Sequence, residues 1–376
     1  MLKSLVRSFM YKKNREMNAI RWYDRTDYGK VDVSDDRRPM REETLSAIFE
    51  FFDKIELFYG ADAPAPLQIA GGWRRIILEN MPNVVRAISQ KDRGAYRALL
   101  ENMFRNEVVV GLWNFCYFKD LPANRKPPNG FLAAMDGYKF ITGRPEQDLF
   151  CSGFGNPWGC KVGNGRLSMT AGENGVKAFN LLNLLSLYPK GQKLTVMDLG
   201  SGYGIDMCQL VSWHKEPLRI ILLDIPVNLA TAYAFVSENF ANVRRTLVRD
   251  RAQLRKTLDD RSNDVEFIFV PTLFVDDLAG EKINVLHNHG SLAEMDRETV
   301  AYYLDRLVAG NNDFFLELNS ANPVAFDKAF TELDSRTFPV PQSHQLVSRT
   351  PIYLTSRGGR YLQNLYVNRS RLALAP

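Results

Sequence analysis

The chain has 376 residues, of which 45% are hydrophobic and 24% charged, with a formal net charge of +5. This composition is typical of a soluble globular protein with one large domain or two ordinary ones. No apolar stretch approaches the ~20 residues of a membrane-spanning helix, so we expect no transmembrane segment.

The positive charge is concentrated in residues 1–30, which hold eight Lys or Arg and three Asp or Glu. The remaining residues are neutral overall, whereas a duplex-binding protein more often carries a basic face on its folded body, so we expect no nucleic-acid partner. The segment has an apolar stripe at helical spacing, which favours packing on its own domain. The alternative is peripheral contact with an anionic membrane surface or with a partner chain. The sequence also leaves open whether the chain forms a homo-oligomer.

The first charges are interspersed with apolar residues, unlike a secretory signal, and this favours a cytoplasmic location. The cysteines form no CxxC pair and have no zinc-ligand spacing, so we expect free, mostly buried thiols. They are Cys116, Cys151, Cys160 and Cys208.

Residues 1–145 are expected to be mainly helical and to form a substrate lid or an oligomerisation region. Apolar residues recur every three or four positions from Leu45 to Phe58, and Gly60 follows as a helix stop. A second helical stretch is predicted near 84–105, and a Pro- and Gly-rich break follows at 121–130.

Residues 146–376 have the pattern of an α/β domain. A Gly-rich stretch at 150–172 suggests a short hairpin, and a helix is expected near 175–188. Near-continuous apolar runs then alternate with helical segments, which predicts a doubly wound, Rossmann-like parallel sheet. The predicted strands are 194–199, 219–224, 265–271, 283–288 and 313–319. Gly358-Gly359 indicates a C-terminal antiparallel hairpin.

A glycine-rich loop follows the first of these strands, with Asp198, Gly200, Gly202 and Gly204 in the pattern D-x-G-x-G-x-G. Open α/β sheets bind ligands at the carboxyl ends of their strands. A dinucleotide fingerprint would need a third glycine at Ile205. S-adenosylmethionine (SAM) has no phosphate, and Asp198 can attract its methionine ammonium. The pattern therefore favours SAM over a dinucleotide, with a structural turn as the third alternative.

Asp224 ends the second predicted strand, 20 residues after Gly204. A carboxylate there can accept both ribose hydroxyls of an adenosine. Its alternative role is a helix N-cap, because Ile225, Pro226 and then a helical stretch follow it.

The reacting groups are expected beyond the fourth predicted strand. His289 is the preferred general base because imidazole titrates near neutrality, and Glu294 is the second candidate. Ser291 is a possible helix cap. His287 and His289 share a strand face, so a divalent metal is conceivable, but no third ligand is evident and it is not favoured.

Four pieces in order carry a family resemblance: GNPWG (155–159), DLGSGYG (198–204), LLDIPVNL (222–229) and NHGSLAEM (288–295). With them the chain resembles the bacterial sugar O-methyltransferases, a class I SAM-dependent family. The pieces span residues 155–295 and leave the N-terminal 145 uncovered.

The resemblance implies methylation of a hydroxyl on a sugar, carried by a nucleotide, a glycan or a glycosylated natural product. Asn288, Ser291 and Glu294 match the motif after the fourth strand, and Asn288 and Ser291 are assigned with the cofactor residues. His289 departs from the family's pattern. Aromatic residues proposed to stack on sugar faces are Trp113, Tyr138, Phe154 and Trp158. The alternatives are a non-sugar natural product as acceptor, or a SAM-binding partner protein without catalysis.

Overall fold

In a computed structural model, the chain is described at residues 28–60, 63–69, 71–110, 127, 129–163, 165–260, 262, 264–309, 311–321, 325–327, 330–352 and 361–372. Most of the basic N-terminal segment, Trp113, Cys116 and the Gly358-Gly359 turn lie outside these residues.

The described part of the N-terminal region is mostly helical, as expected. Its helices are α1 (Glu42–Phe52), α2 (Gly71–Arg75, continued by a π turn at Ile76–Asn80), α3 (Pro82–Ser89), α4 (Arg93–Glu101) and α5 (Asn129–Thr142).

These helices differ from the sequence-based expectation in three details. α1 ends at Phe52, before the proposed stop at Gly60. The stretch expected as one helix near 84–105 is divided between α3 and α4, because Lys91 has a left-handed φ of 53° and Asp92 caps α4 by accepting from the Ala95 N–H. α5 was not expected, since its sequence is interrupted by glycine and charged residues.

A three-stranded antiparallel sheet joins the two regions. It consists of β1 (Val31–Asp32), β2 (Gly159–Val162) and β3 (Gly165–Leu167), in that order. β2 and β3 form the hairpin expected within 150–172, and Val31 of the N-terminal region pairs with Cys160.

The main sheet confirms the doubly wound α/β prediction. Six parallel strands lie in the order β6-β7-β5-β4-β8-β9, and the antiparallel hairpin β13-β12 continues the sheet beyond β9. These strands are β4 (Leu194–Leu199), β5 (Leu218–Asp224), β6 (Arg244–Leu247), β7 (Glu266–Pro271), β8 (Ile283–His289), β9 (Asn312–Ser320), β12 (His344–Ile352) and β13 (Tyr361–Asn368). A separate pair, β10 (Ala325–Asp327) and β11 (Phe330–Thr331), follows β9.

The apolar runs form strands because both faces of the sheet are covered. β5, β7 and β9 are buried along their whole lengths. The helices that connect and cover the strands are α6 (Ala171–Leu185), α7 (Ile205–Trp213), α8 (Pro226–Asn239), α9 (Arg251–Asp259), α10 (Val275–Leu278) and α11 (Arg297–Leu307); α12 (Arg369–Leu372) follows β13. The edge strand β6 was missed by sequence reasoning because its residues, RRTL, are polar and only partly buried.

The N-terminal region packs directly on the sheet region. α1 lies against α8, where Thr44 Oγ1 donates to Glu238 Oε1 at 2.5 Å and Arg41 Nη2 donates to the Ser237 carbonyl at 2.5 Å. Buried residues of both regions belong to one continuous hydrophobic core.

Two further expectations concern the described residues alone. Cys151, Cys160 and Cys208 are free thiols; the last two are buried and the first is half-buried. Among the helices that the structure describes, none combines the length and the apolar character needed to cross a membrane.

Candidate active site

A pocket opens at the carboxyl ends of β4, β5 and β8, where a parallel sheet of this kind presents its loops. Its lining combines stretches that are distant in sequence: residues 66–69 and 73, the start of α6, the loop after β4, the end of β5, Thr272, residues 289–303 and Tyr361. The sequence-predicted site residues that line it are Asp198, Gly200, Gly202, Asp224, His289, Ser291 and Glu294.

The glycine loop has a backbone that other residues rarely adopt. Gly200, Gly202 and Gly204 have φ angles of 69°, 56° and 78°, and Gly204 is the N-cap of α7. Glycine reaches this left-handed region without a Cβ penalty. At Gly200 space is also limiting, because a Cβ would lie 1.9 Å from Ser291 Oγ. The glycines therefore keep this loop closely packed against the segment that follows β8.

Asp224 lies at the end of β5 with only 6% of its surface exposed. Its Oδ2 accepts from the Gly202 N–H at 2.7 Å, and its Oδ1 accepts from the Ile225 N–H at 2.7 Å and from Asn228 Nδ2 at 3.0 Å. Burial raises the pKa of this carboxyl to about 7, although the three hydrogen bonds oppose the shift. The N-cap of α8 is Ile225, so Asp224 does not have the capping role that was its alternative; its carboxylate holds the Ile225 N–H and Asn228 and faces the pocket beside the glycine loop.

Asp198 is held by a histidine. The two groups meet where His287 Nδ1 and Asp198 Oδ1 lie 2.8 Å apart, and both residues are buried. Burial raises the pKa of Asp198, against the opposing effect of His287. His287 is therefore committed to Asp198 and lies outside the pocket lining. No group of three His, Cys, Asp or Glu side chains suited to a metal ion occurs among the residues that the structure describes.

His289 belongs to a different cluster, which sequence reasoning did not identify. Lys177 Nζ lies 3.0 Å from His289 Nδ1 and donates to Asp206 Oδ2 at 2.9 Å and to Asn174 Oδ1 at 3.1 Å. Lys177 is on α6, Asp206 is in the first turn of α7, and both side chains are more than nine-tenths buried. No motif connects these residues, because the chain brings them together from elements about 30 and 110 positions apart.

Glu294 lies on a 3-10 turn, Leu292–Glu294, and its Oε2 accepts from the indole Nε1 of Trp73 at 2.8 Å. Trp73 is on α2, so the N-terminal region contributes a side chain to the pocket wall. Leu67 and Ile69, which precede α2, also line the pocket. The sequence analysis proposed a substrate lid or an oligomerisation region in residues 1–145 but did not identify this pocket-lining segment.

Asn288 and Ser291 support the loop after β4. Asn288 Nδ2 donates to the Leu199 carbonyl at 2.7 Å, and Ser291 Oγ donates to the same carbonyl at 3.1 Å. Asn288 is fully buried and lies outside the pocket lining, whereas Ser291 reaches it. These contacts suit residues that position the loop beside a cofactor. Ser291 precedes the 3-10 turn but makes no side-chain cap to it.

Three of the four aromatic residues proposed for sugar stacking lie outside the pocket lining, and the fourth, Trp113, is outside the described residues. Tyr138 and Phe154 are buried in the core, where the Tyr138 ring stacks on Trp213. Trp158 packs under Arg105 and is not part of the pocket lining. Aromatic residues that do line the pocket are Trp73, Tyr203, Tyr303 and Tyr361.

No protein-family model matches this sequence, and no curated protein matches it. Three solved structures are distantly similar to this chain: two are of methyltransferases, and one is of a protein in complex with SAH. The mitomycin 7-O-methyltransferase MmcR is 14% identical over 53% of this chain and 55% of its own, with a TM-score of 0.31. Magnesium protoporphyrin IX methyltransferase from Synechocystis PCC 6803, with bound SAM, is 12% identical over 52% and 79%, with a TM-score of 0.32.

The third, LepI in complex with SAH and a substrate analogue, is 12% identical over 79% of this chain and 66% of its own, with a TM-score of 0.35. These likenesses are distant, so the chemistry of the pocket has to be read from the chain's own residues.

Proposed function

We propose that the protein is a SAM-dependent O-methyltransferase that transfers a methyl group to a hydroxyl of a sugar. The observation that carries the proposal is the pairing of Asp224 with the glycine loop: a buried carboxylate at the end of β5 faces the same pocket as Gly200 and Gly202. A carboxylate in this position suits the two ribose hydroxyls of an adenosine.

The charge of the pocket favours SAM over a dinucleotide. Among the described residues that line the pocket, Lys177 is the one lysine and there is no arginine. Its ammonium is already shared by Asp206, Asn174 and His289. A pyrophosphate at the start of α7 would also meet the buried Asp206 carboxylate. SAM carries no phosphate, so it would bring no pyrophosphate to this acidic end of the pocket.

When bound, SAM supplies a methyl group on a sulfonium, which an acceptor oxygen can attack as the carbon–sulfur bond breaks. The chain's own residues have two tasks: to orient the acceptor hydroxyl and to receive its proton. His289 and Glu294 face the pocket beyond β8 and are the groups for these tasks.

The sugar acceptor rests on the sequence motifs and on the type of side chains at this end of the pocket. Carboxylates of Glu173 and Glu294 lie there with the rings of Trp73 and Tyr361. Carboxylates accept hydrogen bonds from hydroxyl groups, and aromatic rings present an apolar face with a polar edge. The segment containing Trp73 is proposed to close over the acceptor as part of the N-terminal lid.

The cofactor is tested by calorimetry with SAM as a function of pH. Without ligand the pKa of Asp224 is about 7. Because the ribose hydroxyls donate to the ionised carboxylate, SAM binding should lower this pKa. We expect affinity to weaken by about tenfold from pH 8 to pH 6, with proton release at pH 6 seen as heat that depends on the buffer. Asp224→Asn should bind weakly at both pH values. Full affinity in this variant would exclude the ribose assignment.

The acceptor is tested separately with methyl-labelled SAM and a panel of nucleotide sugars, glycans, glycosylated natural products and sugar-free phenols. Labelling of a sugar hydroxyl supports the proposal. Labelling of a phenol alone indicates a non-sugar natural product, and SAM binding without any labelling favours the partner protein without catalysis.

A further inference from the structure

The Lys177 ammonium determines how His289 can act. A lysine ammonium has three N–H donors and no acceptor. Its contact with His289 Nδ1, at 3.0 Å, is therefore a hydrogen bond only if Nδ1 offers a lone pair. A neutral imidazole has one protonated nitrogen, so a lone pair at Nδ1 places the ring proton on Nε2.

The surrounding charges support this state of the ring. The Asp206 carboxylate is 3.9 Å from His289 Nδ1 and would favour a protonated ring, but the ammonium at 3.0 Å is closer and opposes it. Asp206 also accepts from Lys177 through both of its oxygens, at 2.9 and 3.1 Å, which holds the ammonium charged and in place. The Tyr361 ring, with its centroid 6.2 Å from that of His289, brings no charge when neutral.

We propose that Lys177 is a positioning residue that holds His289 as its Nε2–H tautomer, so that His289 donates a hydrogen bond to the acceptor. Resting on the proposed function, this assigns the general base to Glu294, the other candidate that faces the pocket. The acceptor oxygen forms its bond to the methyl carbon, the electron pair of the carbon–sulfur bond stays on sulfur, and the hydroxyl proton moves to the Glu294 carboxylate.

Nuclear magnetic resonance of the full chain with 15N-labelled histidine tests the tautomer without any substrate. The chain has four histidines, so the spectrum is simple, and His289→Gln identifies the signals of interest. At pH 7.5 we expect long-range proton–nitrogen correlations of the Nε2–H tautomer. An Nδ1–H tautomer, or an imidazolium, at His289 would overturn the proposal whether or not the protein is a methyltransferase.

Lys177 is then removed in two ways, because Lys177→Met alone leaves Asp206 buried without its cation. With Lys177→Met alone, the remaining Asp206 carboxylate should shift His289 toward the Nδ1–H tautomer or the imidazolium, whereas the charge-balanced pair Lys177→Met with Asp206→Asn should give a mixture of tautomers. His344 is the internal control, since its contacts are with Ser343 and Asn312 and should not change. A His289 spectrum that keeps the wild-type tautomer in the folded pair variant would show that Lys177 does not set it.

Activity with an acceptor from the labelled panel tests the division of roles. Gln can donate a hydrogen bond but cannot act as a base, so His289→Gln should retain turnover within about tenfold. Glu294→Gln keeps an oxygen for Trp73 but should lose about 10²–10⁴-fold in kcat, the usual contribution of a general base. The reverse ranking would return the base to His289, and unimpaired SAM binding in both variants would keep that result separate from the cofactor proposal.

Discussion

At the residue scale, Gly200 shows how backbone conformation and packing act at one position. Its φ of 69° excludes most residues energetically, and its closeness to Ser291 excludes any Cβ sterically. Gly191 provides a natural comparison, because it has a φ of 76° but no atom within 4 Å of the place that a Cβ would occupy. The pair separates the cost of the left-handed backbone from the cost of the collision.

We expect Gly191→Ala to lower the free energy of unfolding by about 1–2 kcal/mol, the cost of a left-handed alanine. Gly200→Ala should cost about 1–3 kcal/mol more, because Ser291 has to move away from the Leu199 carbonyl. Urea denaturation measures both. In a Gly200→Ala background, Ser291→Gly should recover part of the extra loss by making room. Equal destabilisation by the two alanines would show that the contact with Ser291 is easily relieved.

At the scale of elements, a relay of buried polar side chains crosses three strands of the sheet. Asn364 of β13 donates to Glu317 of β9, and Asn319 Nδ2 donates to Glu317 Oε2 at 2.7 Å and to Asn288 Oδ1 at 2.8 Å. Asn288 of β8 then donates to the Leu199 carbonyl. Burial raises the pKa of Glu317 to about 7 despite the amide donors. The relay therefore connects the C-terminal hairpin to the glycine loop through buried, mutually satisfied groups.

Asn319→Ala tests whether this relay supports the loop. The substitution removes one hydrogen-bond partner of Glu317 and one of Asn288. It also removes Asn319 Oδ1, which accepts from the Ala293 N–H at 3.2 Å. Buried polar groups that lose their partners are costly, so we expect a loss of about 2–4 kcal/mol in urea denaturation and weaker SAM binding. Asn183→Ala, on an exposed helix position, is the control and should change stability by less than about 0.5 kcal/mol. Wild-type SAM affinity in a destabilised Asn319→Ala protein would mean that the relay stabilises the sheet alone.

The elements that sequence reasoning recovered share a simple physical signal. β4, β5, β7, β8 and β9 are apolar runs because both faces of the sheet are covered, and burial leaves a direct mark in composition. β6 is a polar edge strand and carries no such mark. The sequence could place the glycine loop and Asp224 at one edge of the sheet because each follows directly on a strand.

The other site residues depend on tertiary contacts. Lys177 reads as one charged residue in a helix, and Trp73 as one aromatic in a region without a motif. Their significance appears only when α6 and α2 bring them to His289 and Glu294. The sequence shows that a histidine is present but not which of its nitrogens accepts. For this reason the sequence favoured His289 as the general base, whereas the contacts of Lys177 lead us to propose Glu294.

At the scale of the whole molecule, the N-terminal helices and the sheet share one hydrophobic core. Phe51 of α1 is fully buried, and α1 packs against α8. Tyr59 reaches further into the sheet region, where its hydroxyl lies 3.0 Å from Thr272 Oγ1, and Trp73 contacts Glu294. A region packed in this way is part of the folded body, so its stability should be coupled to that of the sheet.

Phe51→Ala should therefore destabilise both regions together, by about 3–5 kcal/mol, the usual cost of emptying a buried phenylalanine site. Hydrogen exchange followed by mass spectrometry measures this locally: peptides from α1 and from β5 should lose the same free energy of opening. Phe140→Ala removes the same atoms from a side chain that is 69% exposed and should leave both peptides unchanged. If protection falls in α1 while β5 keeps its own, the N-terminal region opens independently of the sheet, and a lid that moves as a separate unit becomes the better description.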